Sequence, residues 1–222
     1  MTSRLPTSAS IVNKSAGDKL YAPSAAKNVG ALTKLLVRIA PEKGQILEIA
    51  SGTGQHIVEF AKAIPDLLWT PSEISSERLV SIDAYCAEAS LNNLTIPILL
   101  DACAQGWAQK SKTYDFIITI NLLHLISKKA TRVLLSETAK ALTVNGTFII
   151  YGPILREGKT ISNGDAVFHA ELQNANRQIG YKDRDDVIAW ARLAGLTAFE
   201  VVNMPANNLA LIFKTSKDYN MH

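Results

Sequence analysis

Residues 46–60, Ile-Leu-Glu-Ile-Ala-Ser-Gly-Thr-Gly-Gln-His-Ile-Val-Glu-Phe, constrain the fold more than any other part of the chain. Ile46, Leu47 and Ile49 suit a buried parallel strand. Gly52 and Gly54 permit positive φ and close backbone approach, and Ile57, Val58, Phe60 and Ala61 then recur at helical spacing. A strand feeding a helix through such a turn leaves unpaired N–H groups at the strand's C-terminal edge, where open α/β sheets bind ligands. The dinucleotide fingerprint wants a third glycine where this chain has Ile57, which argues against NAD or FAD. A turn that merely joins strand to helix is the plain alternative.

The rest of the chain supplies the remaining strands and helices. Residues 18–40 read as an N-terminal helical cap, with Leu32, Leu35, Leu36 and Ile39 on one face and Pro41 at its end. A helix over 55–64 stops at Pro65. A second strand over 67–74 follows, in which Pro71 predicts a bulge or an early end to pairing near 70–72. A helix over 75–92, a strand over 96–100, a strand over 114–120, a helix over 130–142 stopped near Asn145-Gly146, and a strand over 147–151 continue the alternation. The polar, glycine-punctuated stretch 156–182 breaks it. This reads as an insertion with a helix over 165–178, placed where substrate contacts are usual. A helix over 185–194 and strands over 197–203 and 209–215 close the chain, the short link between the strands implying a hairpin.

The expected fold class is therefore α/β: a Rossmann-like, seven-stranded, mostly parallel sheet with an antiparallel last strand and helices on both faces. The expected organisation is a flexible N-terminal tail over 1–17 and one domain over 18–222.

Composition narrows the partners. The 222 residues carry a formal net charge of +3 from scattered Lys and Arg, so a nucleic-acid partner is disfavoured. No apolar run is long enough to span a bilayer, and residues 1–15 lack the apolar core of a signal peptide. Cys86 and Cys103 form neither a metal spacing nor a disulfide framework. The expectation is no metal and a reducing compartment, the cytoplasm.

Several motifs carry a resemblance. Glu48 stands four positions before Gly52, in a loop similar to acidic-x-Gly-x-Gly-x-Gly with Ala50 for the first glycine. This resembles the class I S-adenosylmethionine-dependent methyltransferases. More narrowly, the chain resembles the methyltransferase-like 26 family. The match runs through Tyr21-x-Pro23 with Asn28, residues 47–56, Trp69-x-Pro71-Ser72-Glu73, Leu100-Asp101, Ile120-Asn121 with His124, Tyr151-Gly152-Pro153 and residues 204–208. It departs over the insertion. Phe168-His169, Gln173, Ala175 and residues 179–183 replace the family's Phe-Asp, arginines and Trp-Gly-x-Arg-Asp, so no family substrate carries over.

The resemblance implies S-adenosyl-L-methionine as cofactor and a methyl acceptor. Tyr21, Asn28, Glu48, Ala50, Ser51, Gly52, Gly54, His56, Glu73, Ile74, Asp101, Ala102 and Asn121 are the implied cofactor residues. Glu73 lies about twenty positions after Gly54, the spacing at which a carboxylate reaches ribose hydroxyls; capping of the next helix is its alternative. Asp101 and Ala102 suit adenine recognition, or else an Asx turn. His124 and Tyr151 are candidate catalytic residues, with packing the alternative for His124. Phe168, His169 and Tyr181 are candidate substrate contacts. The acceptor is expected to be a small molecule. The rivals are an RNA or protein methyltransferase, a catalytically silent cofactor-binding interaction protein, and a nucleotide-binding oxidoreductase.

Overall fold

A computed structural model describes residues 6, 9 and 11–215. Its first element is a small antiparallel hairpin, β1 (Asn13–Lys14) with β2 (Leu20–Tyr21), in which Asn13 faces Tyr21 and Lys14 faces Leu20. The helix expected over 18–40 therefore starts later, as α1 (Pro23–Ile39). Pro23 at its first turn explains the start: proline is preorganised there and keeps Ala22 extended, at φ −107 and ψ 112. Within the tail expected over 1–17, Asn13 and Lys14 are paired with Tyr21 and Leu20. The parts of that tail at 1–5, 7, 8 and 10, and the expected domain's last residues 216–222, lie outside the described residues.

The main chain then runs β3 (Gly44–Ile49), α2 (Gln55–Ala63), β4 (Leu67–Glu73), α3 (Ser76–Ala89), β5 (Ile98–Leu99), β6 (Tyr114–Ile120), α4 (Lys128–Ala141), β7 (Leu142–Gly152), α5 (Asn163–Ala175), α6 (Arg184–Leu193), β8 (Leu196–Asn203) and β9 (Leu209–Thr215). The seven-stranded sheet has the order β5-β4-β3-β6-β7-β9-β8. Its first five strands are parallel, and β9 runs antiparallel to both β7 and β8. The order reverses at β3, where chain progression jumps from the β4–β5 side to the β6–β7 side, and the C-terminal strand ends there make the crevice in which such sheets hold ligands.

Alternation along the strands builds two cores. Ile46, Phe116, Ile118, Ile149 and Ile212 face α1 and α2, whose Leu32, Leu36, Ile57 and Phe60 cover them. Leu47, Ile49, Ile117, Phe148, Ile150 and Leu211 face the opposite layer, where Leu134, Leu135, Val187 and Trp190 of α4 and α6 pack. Burial of so many aliphatic side chains, each contributing about 1.5–3 kcal/mol, fixes the register of the central strands.

One local expectation is refined and another corrected. Pro71 causes no bulge: β4 runs unbroken to Glu73, although its pairing with β3 ends at Pro71, opposite Glu48. The reason lies in which neighbour each residue addresses. The backbone carbonyl of Ser72 bonds toward β3, accepting from Ser51, whereas those of Trp69 and Glu73 bond toward the β5 side, accepting from Thr95 and Leu100. Pro71 shares the parity of Trp69 and Glu73, so its missing donor faces the edge, where β5 has two residues instead of the five expected over 96–100. Asn145-Gly146 likewise ends no helix. Here α4 stops at Ala141, β7 starts at Leu142, and Asn145 takes φ 62 within the strand, where the β6–β7 register shifts between Tyr114 and Phe116.

Candidate functional site

The loop between β3 and α2 is stitched to the end of β4. Ser51 N–H donates to Ser72 O at 2.8 Å, Ser72 N–H donates to Ser51 Oγ at 3.1 Å, and both hydroxyls donate to Glu48 O, at 3.2 and 2.8 Å. Ala50 at φ 56, Gly52 at φ 63 and Gly54 at φ 94 turn the chain sharply. The two glycines serve different ends. A Cβ on Gly54 would stand 2.9 Å from Ile82 Cα, so Gly54 lets α3 pack against the loop; a Cβ on Gly52 would meet nothing nearer than Arg78 at 3.8 Å, so the face of Gly52 is open.

Beneath this loop Glu48 is buried, and its Oε2 has no hydrogen-bond partner. Burial pushes its carboxyl up to about 8; the neighbouring Glu73 carboxylate adds to the rise and the Ser51 side chain opposes it. Glu73 is buried too, but fully engaged. Its Oε2 accepts Gly52 N–H at 3.0 Å, its Oε1 accepts Ile74 N–H at 2.8 Å and Ser75 N–H at 3.4 Å, and Arg78 Nη1 stands 3.9 Å away. The N-cap of α3 is Ser75, which accepts Arg78 N–H, so Glu73 braces the loop and does not cap the helix. The next side chain, Ile74, is 60% exposed, an apolar surface beside a polar crevice. Asp101 is exposed and forms an Asx turn, its Oδ1 accepting Cys103 N–H at 2.9 Å, while Ala102 is buried and its carbonyl accepts from Trp107 Nε1.

At the ends of β6 and β7, Asn121 takes φ 57, and its N–H donates to Tyr151 O at 2.8 Å. A Cβ on Gly152 would stand 3.4 Å from Asn121 Oδ1, an ordinary van der Waals contact, so Asn121 lies directly against the Gly152 backbone. Asn28, His56, Tyr151 and Asn208 form one polar network from four elements. His56 Nε2 meets Asn28 Oδ1 at 2.6 Å, Asn208 Nδ2 donates to Tyr151 Oη at 3.1 Å, and Asn28 also bonds the Tyr151 hydroxyl. Burial lowers His56 to about 4 and raises Tyr151, so both are uncharged at neutral pH. Tyr21 is grouped differently: with Ala25, Val29, Val58 and Tyr85 it lines a cavity of about 320 Å³ among α1, α2 and α3.

His124 occupies a second cluster. It sits in a short 3-10 turn (Leu123–Leu125), buried, with Nδ1 unpartnered. Phe168 and Tyr181 meet its ring edgewise at 5.6 and 6.2 Å, and His169 lies 5.3 Å from Tyr181 and accepts Tyr181 N–H through Nδ1 at 2.9 Å. The three residues expected to contact substrate are thus brought to His124, whereas Tyr151 is held in the other cluster. Burial, and secondarily Lys182, pull His124 down to about 3, which leaves a weak base at neutral pH. Lys182 itself is buried, donating to the carbonyls of Ile126 and Gly180, and burial lowers its ammonium to about 8.

Sequence reading missed Ser81, Gln55, Asn208 and Lys182 as structural partners of the site. Gln55 and Asn208 fall in motifs that carry the resemblance, so a signal existed. Ser81 is a lone serine in a helix with a modest apolar stripe, and nothing in the sequence marks it. Among the described residues there is no cluster of three metal-ligating side chains, and no helix is long and apolar enough to cross a membrane.

This fold is shared with methyltransferases of known structure. A putative O-methyltransferase from Nostoc punctiforme superposes with a TM-score of 0.74 at 16% identity, over 87% of this chain and 57% of that one. An O-methyltransferase family protein from Burkholderia thailandensis gives 0.72 at 12%, over 84% and 56%. Human N-acetylserotonin methyltransferase, solved in complex with SAM, gives 0.67 at 13%, over 85% and 55%. The likeness at these identities is one of fold, and the chain spans just over half the length of each structure. By sequence the chain belongs to the family described as protein of unknown function (DUF938), whose pattern matches residues 19–215.

Proposed function

We propose that the protein is an S-adenosylmethionine-dependent methyltransferase acting on a small-molecule acceptor, in line with the resemblance to the methyltransferase-like 26 group. The observation that carries this reading is the unpartnered Oε2 of Glu48, buried under a loop whose Gly52 faces open space. A buried carboxyl oxygen without a donor is costly, and a cationic amino-acid end laid over the loop would relieve it. The other residues fit the same ligand. Glu73 offers a carboxylate to a diol in exchange for its loop contacts, Ile74 an apolar face to a base, and Asp101 its second oxygen to an amino group. Asn121 lies at the strand ends beside Gly152.

Bound there, the cofactor supplies an activated methyl group. The chain's own part is then alignment and exclusion of water, since its two sequence-predicted catalytic groups are uncharged and poor proton acceptors. Phe168, His169 and Tyr181 of the 156–182 insertion form a wall with His124, which we assign to the acceptor side of the single domain 18–222. His124 acts there as lining and orienting group, and an acceptor that ionises unaided fits this site.

Calorimetry with S-adenosylmethionine and S-adenosylhomocysteine tests the cofactor, and transfer of a labelled methyl group into a fractionated metabolite extract tests the acceptor. Binding of neither cofactor form sinks the proposal. Binding with no transfer identifies a silent binding protein, and transfer only to added RNA or protein moves the acceptor class.

A further inference from the structure

The glycine loop is held from outside by the N-terminal hairpin, through the side chains of Ser81 and Gln55. Leu20 N–H, in β2, donates to Ser81 Oγ at 2.8 Å, and the same hydroxyl donates to Thr53 O at 2.8 Å. Ala22 N–H donates to Gln55 Oε1 at 2.6 Å, and Thr53 Oγ1 donates to that same oxygen at 2.9 Å. Both links therefore end on Thr53, between the two glycines. Among the described residues the hairpin pairs with no strand of the main sheet; the Lys19–Glu88 ion pair and Lys19 over the Tyr85 ring at 5.3 Å tie it further to α3.

We infer that Ser81 and Gln55 are positioning residues forming a latch, through which the N-terminal hairpin holds the glycine loop in its ligand-ready shape. Ser81 is fully buried and spends both its donor and an acceptor site on backbone groups of two different segments. Loss of its hydroxyl frees one backbone N–H and one carbonyl at once, so docking of the hairpin and ordering of the loop rise and fall together. Thermodynamic reciprocity then requires that a ligand ordering the loop also fastens the hairpin. The inference rests on the cofactor reading for the ligand's identity, but the latch itself is a property of the ligand-free protein.

The test is residue-resolved amide hydrogen exchange on the full chain, with and without S-adenosylhomocysteine, for wild type, Ser81→Ala, Gln55→Leu and Gln55→Glu. In the ligand-free state Ser81→Ala is expected to speed exchange at Leu20 and also at Ser51 and Gly54 by about tenfold or more, while Phe116 and Ile118 in β6 stay protected. Gln55→Leu should do the same from Ala22, and Gln55→Glu, which keeps an acceptor oxygen, should restore the wild-type pattern. S-adenosylhomocysteine should slow exchange at Leu20 and Ala22 in wild type, and its affinity should fall about 5- to 50-fold in Ser81→Ala and Gln55→Leu. Opening of the hairpin amides with the loop amides and affinity unmoved overturns the latch, as does an equal rise in β6. If Ser81→Ala fails to fold, the Gln55 pair decides. If wild type binds no S-adenosylhomocysteine, the cofactor proposal fails while the ligand-free exchange pattern still decides the latch.

Discussion

Glu73 Oε2 accepts the backbone N–H of Gly52 at 3.0 Å, so the carboxylate at the end of β4 closes the loop at the end of β3. The two strands are adjacent and parallel, which is why residues 21 positions apart meet. Replacing Glu73 by Gln removes the charge while keeping an acceptor. S-adenosylhomocysteine affinity is expected to fall about 10- to 100-fold, since a hydrogen bond to a charged group contributes roughly 1.5–3 kcal/mol. Calorimetry reads this directly, and wild-type affinity in the variant removes Glu73 from the cofactor site.

Gly52 and Gly54 separate function from folding. Gly54→Ala puts a Cβ 2.9 Å from the backbone of Ile82 at a φ of 94, and is expected to lower stability by roughly 2 kcal/mol or more, measured by urea denaturation. Gly52→Ala has space and incurs only the left-handed strain of about 1–2 kcal/mol at φ 63, yet it fills the open face and should weaken cofactor binding at least tenfold. Equal stability losses with unchanged binding in Gly52→Ala would contradict the assignment of that face.

The Glu48 carboxyl is raised from 4.5 to about 8 by burial, so it is protonated in the ligand-free protein at pH 7. A cation placed beside it favours the ionised form, so cofactor binding should release close to one proton at pH 7, and affinity should rise with pH up to about 8. Calorimetry in buffers of different ionisation enthalpy counts the proton. Glu48→Gln should abolish the release, and a wild-type count of zero excludes this carboxyl.

The same groups set an acid-side limit on stability. His56 and His124 fall from 6.5 to about 4 and about 3 in the folded state, so the unfolded chain takes up protons the folded chain refuses as pH drops below 6.5. Stability is lost there at about 1.4 kcal/mol per pH unit for each histidine. Glu48 acts in the opposite sense, since its raised folded pKa means that stability falls as pH rises from 4.5 toward 8. Together these place the ligand-free maximum near pH 6.5 (roughly where the terms cross). Urea denaturation from pH 4.5 to 8 traces the curve, and His124→Gln should remove about one proton from the acid-side slope; an unchanged slope shows that His124 titrates normally.

The architecture was legible because β3, β6, β7 and β9 are apolar runs bounded by turn residues, and because helices and strands alternate in length as well as period. The loop geometry was legible from Gly52 and Gly54. Pro71 was misread as a bulge because its side of the strand depends on which neighbour each backbone group addresses, a tertiary fact absent from local sequence. The hairpin within 13–22 was missed because the pairs Asn13–Lys14 and Leu20–Tyr21 are too short to show a period. Ser81 could not be found at all, since a buried serine in a helix reads the same whether or not its hydroxyl joins two segments. His124 shows the opposite limit: its place near the strand ends was readable, whereas its burial and lowered basicity come from an insertion some forty residues on in sequence, beyond any local signal.

The orientation of Pro71 bears on self-association. The β5 strand at the sheet's border is only two residues long, and local fraying would bare the flank of β4 to strands from other molecules. An incoming strand would find no donor at Pro71, between the bridge at Trp69 and the pairing at Ser72, so a ladder growing there would be interrupted. The residue that leaves the ligand crevice side of β4 intact thereby also breaks the donor row along this border, which disfavours edge-to-edge pairing.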